Sequence, residues 1–201
     1  MNEINDLITR YPQLAVCGRE ILNTVKVFCD CYRAGGKVLV CGNGGSAADA
    51  EHICAELMKR FKKPRPIDEE VASRLPVEIA QKLEGAVPAI SLVSMGGILS
   101  AFANDVAWET AFAQQVYALG RKGDILLELS TSGNSENCLE AALVARAKGL
   151  KIVVLTGMTG GRLVSLADLA ICVPEEETHK IQELHLPIYH AVCAAVEDVL
   201  F

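Results

Sequence analysis

A surplus of positive charge is missing from this sequence. Nineteen Lys and Arg against 25 Asp and Glu leave a formal net charge of -6, with a pI near 5.3. No basic stripe is evident, which removes nucleic acid as a default partner. The one basic run, Lys59, Arg60, Lys62, Lys63 and Arg65, reads as a solvated face. No apolar run reaches membrane-spanning length, and the acidic start "MNEINDLITR" lacks a secretory apolar core, so no membrane partner is expected and the reading is cytoplasmic. C-x-x-C pairs are also absent: Cys29 and Cys31 make only C-x-C, and no second pair completes a zinc knuckle. Cys41, Cys54, Cys138, Cys172 and Cys193 sit inside apolar stretches, as buried, reduced thiols do. Internal repeats and low-complexity segments are lacking too.

What is present is a chain of 201 residues, 51% hydrophobic, enough for one domain with a sizeable core. Residues 18–34 read as a helix, with Ile21, Leu22, Val25, Phe28 and Cys29 on one face, ended by Gly35-Gly36. Unbroken apolar runs then alternate with helical patterns: 37–41, 89–93, 124–130, 151–156 and 169–173. Runs without polar alternation mark parallel strands covered on both faces. The expected fold is an α/β/α sandwich around a five-stranded parallel sheet, with an N-terminal helical extension over 1–34. Residues 62–88 carry four of the seven prolines and a dense charge mixture. They read as a surface insertion with one short helix around Val77–Leu83.

Two strand ends carry anion-binding chemistry. One strand runs into Gly42-Asn43-Gly44-Gly45-Ser46, and another into Ser130-Thr131-Ser132-Gly133-Asn134-Ser135. Glycines permit close backbone approach, hydroxyls donate to anionic oxygens, and helix N-termini offer free N–H groups. Neither turn holds a Lys, so neither is a Walker loop, and a phosphate monoester is the natural ligand. The second turn on its own could be no more than a capped helix start. Gly42-x-Gly44-x-x-Ala47 also fits a dinucleotide fingerprint, but the next strand ends in Ser94-Met95-Gly96, without the ribose-binding acid.

Only four histidines occur. His52 and Glu56 are spaced i, i+4 on the helix that leaves the first turn, so they share a face near the presumed phosphate. In the last helical stretch Gln182 and His190 lie two turns apart on nearly one face, whereas Glu183 and His185 point elsewhere. Each half alone reads as an ion pair or a solvated residue. Together, two imidazoles, a carboxylate and an amide oxygen could surround a divalent metal such as zinc, the amide being the less usual ligand.

The stretches "AGGKVLVCGNGGSAADAEHICAEL", "FANDVAWETAFAQQV", "KGDILLELSTSGNS", "VVLTGMTGGRL" and "KIQELHLPIYH" resemble the sugar isomerase (SIS) domain family, within it the bacterial phosphoheptose isomerases. The likeness covers nearly the whole chain, so residues 1–201 would form a single SIS domain. It implies an aldose–ketose isomerase interconverting sedoheptulose 7-phosphate and a D-glycero-D-manno-heptose 7-phosphate through an enediol. By position, Asn43, Gly44, Ser46, Ser130, Thr131, Ser132 and Ser135 match the phosphate-binding turns. His52, Glu56, Gln182 and His190 match the zinc ligands, Glu56 and His190 also the base and acid. Asn104, Asp105 and Arg60 match residues that face the sugar, as does Gln182. The resemblance further implies a homotetramer with sites shared between subunits, in which the two ligand helices need not meet within one chain. Two departures stand out. His179 replaces an Asp near the substrate, and Pro187, three residues before His190, should kink or break the last helix. SIS members without the metal set act as regulatory phosphosugar-binding proteins, one tied to replication initiation, which is the alternative reading.

Overall fold

A computed structural model describes residues 2–201. Helix α1 (Asn2–Arg10) leads through a 3-10 turn at Pro12–Cys17 into α2 (Gly18–Arg33). Strand β1 (Val38–Gly42) and helix α3 (Gly45–Met58) follow, then short helices α4 (Glu69–Ala72) and α5 (Val77–Ala80). Beyond β2 (Ala89–Ser91) come α6 (Gly96–Asp105), α7 (Ala111–Leu119), β3 (Ile125–Leu129) and α8 (Glu136–Lys148). Strands β4 (Lys151–Thr156) and β5 (Leu169–Cys172) precede the long closing helix α9 (Thr178–Leu200).

All strand pairs are parallel and the sheet order is β2-β1-β3-β4-β5. Side chains alternate between two cores. Val38, Val40, Ile125, Leu127, Val153 and Leu155 face α1, α2, α3 and α9, whereas Leu39, Cys41, Leu126, Ile152 and Val154 face α7 and α8. This is the expected three-layer sandwich. The strands start or stop within a residue or two of the apolar runs, because an apolar residue just past a strand end is buried by the neighbouring loop. All eight cysteines are free, with Cys172 half-buried and the others buried.

Two expectations need correction. Pro187 sits inside α9, which continues unbroken to Leu200. Proline removes one N–H donor; the carbonyl it would have served, on Glu183, belongs to an exposed residue beside a cleft where water can reach it. The basic run is not wholly solvated either. Arg65 is 3% exposed, and it anchors the start of the 62–88 insertion to the core. That insertion carries two short helices, the second spanning only Val77–Ala80.

Candidate active site

The switch point of an open parallel sheet lies between the strands whose connections lead away in opposite directions. Here it falls between β1 and β3, where Gly42 pairs in register with Leu129. Both glycine turns leave the sheet at this point. Gly44 adopts φ 57° and ψ −120°, a conformation that favours glycine, immediately before α3. Gly133 (φ 63°) has the Gly160 carbonyl where a Cβ would stand, 2.0 Å away, so the second turn stacks on the 157–161 loop. Ser46 and Ser130 are buried, and Ser130 Oγ lies 3.2 Å from Ser135 Oγ. Ser132 Oγ accepts from the Asn134 amide at 3.2 Å, and Thr131 is half-buried beside it.

Asn137 was not singled out by the sequence. Its side-chain amide exchanges two 2.9 Å hydrogen bonds with that of Asn43. One turn is thereby latched to the other across 94 positions of chain. The signal available was only an Asn one residue inside a helix start, which is too common to single out.

Two turns along α3 the histidine and carboxylate appear. His52 Nε2 lies 3.2 Å from Glu56 Oε1, and Lys59 Nζ is 3.1 Å from Glu56 Oε2. Helix α9 packs alongside and delivers His190, whose ring centroid is 5.0 Å from that of His52 at 80°. Tyr189 stands edge-on to both imidazoles, and Phe61 packs on His190 at 5.6 Å. The two helices therefore meet within one protomer. Burial and the neighbouring His52 pull the His190 imidazole below its ordinary pKa, with Glu56 pulling it partway back.

Gln182 is placed differently. Its amide lies against Gly45, where an added Cβ would come 2.8 Å from Nε2, so it stands at the first glycine turn, two helical turns before His190. Arg60 turns outward to Glu84 at 3.0 Å. Asn104 and Asp105 end α6 on the surface, bonded to each other at 2.8 Å. His179 is exposed near Glu177.

The hydrogen-bond pattern tests whether a cation suits this site. Tyr189 Oη donates to Asp49 Oδ1 at 3.1 Å and lies 3.0 Å from His52 Nδ1. The phenol has one proton, so Nδ1 must be the donor toward it. That leaves the Nε2 lone pair facing the Glu56 carboxylate, two acceptors 3.2 Å apart. Such a contact is repulsive as it stands, and a positive charge placed between the two atoms, above all a metal ion, would turn it favourable. Two ligands on a tetrahedral zinc stand roughly 3.4 Å apart when each bond is about 2.1 Å. His190 Nε2 is buried without a hydrogen-bond partner. The residues fit a divalent metal.

A second donor group lies deeper. Cys41, Glu128 and Cys138 bring their ligand atoms within 4.8 Å of one another in the core below both turns. Burial pushes the Glu128 carboxyl well up, and the Cys138 contact and burial do the same to the Cys41 thiol. Among the described residues no helix is long and apolar enough to cross a membrane.

A parallel sheet holding two hydroxyl-rich turns at its switch point, with an imidazole–carboxylate cluster on the helix beyond, defines an open α/β protein with its candidate site at the carboxyl ends of the strands. The SIS domain model matches residues 14–157, and the chain belongs to that family. It is 40% identical over 193 residues to phosphoheptose isomerase of Roseiflexus sp. (strain RS-1), covering 96% of this chain and 85% of that one. It is 38% identical over 200 residues to phosphoheptose isomerase of Akkermansia muciniphila, covering 100% and 96%. The phosphoheptose isomerase structure from Neisseria gonorrhoeae superposes with a TM-score of 0.79 at 30% identity, covering 96% of this chain and 94% of that chain.

Proposed function

We propose that the chain is a sugar-phosphate isomerase converting sedoheptulose 7-phosphate to D-glycero-D-manno-heptose 7-phosphate through a cis-enediol. The observation that carries this is the His52 Nε2–Glu56 Oε1 contact with the unpartnered His190 Nε2 beside it, on the helix leaving the first turn. A module that only binds phosphosugar has no use for it. The phosphate is held by Ser46, Ser130, Thr131, Ser132 and Ser135 and by the backbone of Asn43 and Gly44, fixed by the Asn43–Asn137 latch. That remote grip supplies binding energy that sets the reacting carbons near α3.

Glu56 is the base that carries a proton between C1 and C2. His190 manages the proton on the sugar oxygen. Its lowered pKa keeps it neutral, and a neutral imidazole paired with a carboxylate base suits aldose–ketose chemistry. His52, Glu56 and His190, with Gln182 as a further donor on α9, would hold zinc, which would supply Lewis-acid polarisation of the sugar carbonyl. Arg60 pairs with Glu84, and Asn104 and Asp105 bond each other on the surface; their part in the sugar site would come in a cytoplasmic homotetramer whose neighbouring subunits complete it. His179, on the first turn of α9, bears on which heptose is preferred.

The test is deuterium incorporation at C1 of sedoheptulose 7-phosphate in D₂O by zinc-loaded protein, with formation of the aldose, labelled at C2, followed in parallel. Incorporation lost in Glu56→Gln is the expected result. Tight binding of the sugar phosphate with neither exchange nor product would refute the proposal.

A further inference from the structure

Tyr189 immediately precedes His190, yet its hydroxyl works on the other imidazole. The side chain is 3% exposed, so its O–H has to find a partner inside the protein. It has two: Asp49 Oδ1 at 3.1 Å and His52 Nδ1 at 3.0 Å. Asp49 and His52 are three residues apart on α3, one turn along the same face. Tyr189 reaches across from α9 and bridges them.

We infer that Tyr189 and Asp49 are positioning residues for His52, a relay that fixes its tautomer and ring orientation so that the Nε2 lone pair faces Glu56. The carboxylate can only accept, so it takes the phenolic proton. The phenolic oxygen then presents a lone pair to Nδ1, which must carry the imidazole proton. Nε2 is left bare, 3.2 Å from Glu56 Oε1. Without the relay the neutral ring would put its proton on Nε2, donate it to Glu56, and cancel both acceptors at once. The edge-on packing of Tyr189 against His52 (5.4 Å, 75°) and against His190 (4.9 Å, 83°) also holds both ring planes. Both act through His52. The consequence for metal affinity rests on the reading of His52 as a metal ligand, but the tautomer does not.

The experiment uses full-length protein labelled with ¹⁵N-histidine. His52 is read by two-bond ¹H–¹⁵N correlation in the metal-free form, at a pH where the ring is neutral. Zinc affinity is measured separately by competition with a chromophoric chelator. Wild type is expected to show the Nδ1–H tautomer. Tyr189→Phe removes one hydroxyl and keeps the ring packing. It and Asp49→Ala should shift His52 toward the Nε2–H form and lower zinc affinity by about 10–100-fold, the usual effect of removing a partner behind a metal-bound histidine. Asp49→Asn retains an acceptor oxygen and should restore most of the wild-type tautomer, which loss of packing alone would not predict. An Nε2–H ring in wild type, or a tautomer and affinity both unchanged in Tyr189→Phe, would overturn the inference. If wild type binds no zinc but loses its Nδ1–H tautomer in Tyr189→Phe, the relay stands and the metal reading falls.

Discussion

Replacing Glu197 with Gln should destabilise the protein by about 3–5 kcal/mol, the range for removing one partner of a buried ion pair. The side chain is 1% exposed, and its carboxylate accepts four hydrogen bonds. They come from Phe61 N (2.8 Å), Lys62 N (2.7 Å), Lys63 N (2.9 Å) and Arg65 Nε (2.7 Å). Arg65 in turn donates to the carbonyls of Leu57 (2.7 Å) and Glu56 (3.0 Å), capping the C-terminus of α3. A glutamine amide would turn its NH₂ toward donors, leaving two of the four without an acceptor. At about 2–4 °C per kcal/mol for a chain of this size, the melting temperature should fall by roughly 6–20 °C. Replacing both partners by apolar residues should not restore it, because three backbone N–H groups and two carbonyls would still be unpaired. Burial alone would raise the Glu197 pKa, but the backbone amides of Phe61, Lys62 and Lys63, with Arg65, outweigh it and hold it below the usual value. Its contribution is therefore present above the unfolded pKa and lost as pH falls through the depressed folded one. Thermal scans of wild type and Glu197→Gln at neutral pH and near pH 4 measure both effects. A drop under about 2 °C at neutral pH would refute the reasoning.

Two further outcomes follow from buried polar groups. His185, on the hidden face of α9, is held neutral by burial, which lowers its pKa to about 4 against the Thr156 carbonyl contact that raises it. Because the folded pKa lies below the ordinary 6.5, its contribution is complete above about 6.5 and drains away as pH falls toward 4. The loss reaches about 3 kcal/mol at 1.36 kcal/mol per pKa unit. Urea titrations should show this slope between pH 6.5 and 4.5, and His185→Leu should flatten it; an unchanged slope would contradict the assignment. Asn137→Ala opens the latch between the phosphate turns, so KM for the sugar phosphate should rise by about 10-fold, a loss of one hydrogen-bond pair, with kcat little changed. Steady-state kinetics would expose an error if kcat fell instead.

The sheet was legible because an unbroken run such as Ile125–Leu129 has no polar alternation and can only be buried on both sides. The turns were legible because two such clusters of glycine and serine stand at strand ends, although either alone could be a capped helix start. Spacing along one helix also put His52 and Glu56 on one face, and the structure has them in contact. What sequence could not show is contact across the fold. The Asn43–Asn137 latch, the Tyr189–His52 bond and the burial of Arg65 each join residues on different elements. Local rules treat Asn137 as a helix start, Tyr189 as core and Arg65 as surface. Pro187 misled for a related reason: a rule about the isolated helix ignores that α9 is held along its length by the core.

The central claim is that Glu56, poised against His52 and His190, moves a proton between C1 and C2 of a phosphate-bound ketose. The most direct measurement is the C1 deuterium content of sedoheptulose 7-phosphate after incubation in D₂O with zinc-loaded wild type and Glu56→Gln. Rapid incorporation by wild type and a loss of about 100- to 10,000-fold in the variant is predicted, as for removal of a catalytic base. Equal incorporation by the two proteins, or none by either with the sugar phosphate bound, would contradict it.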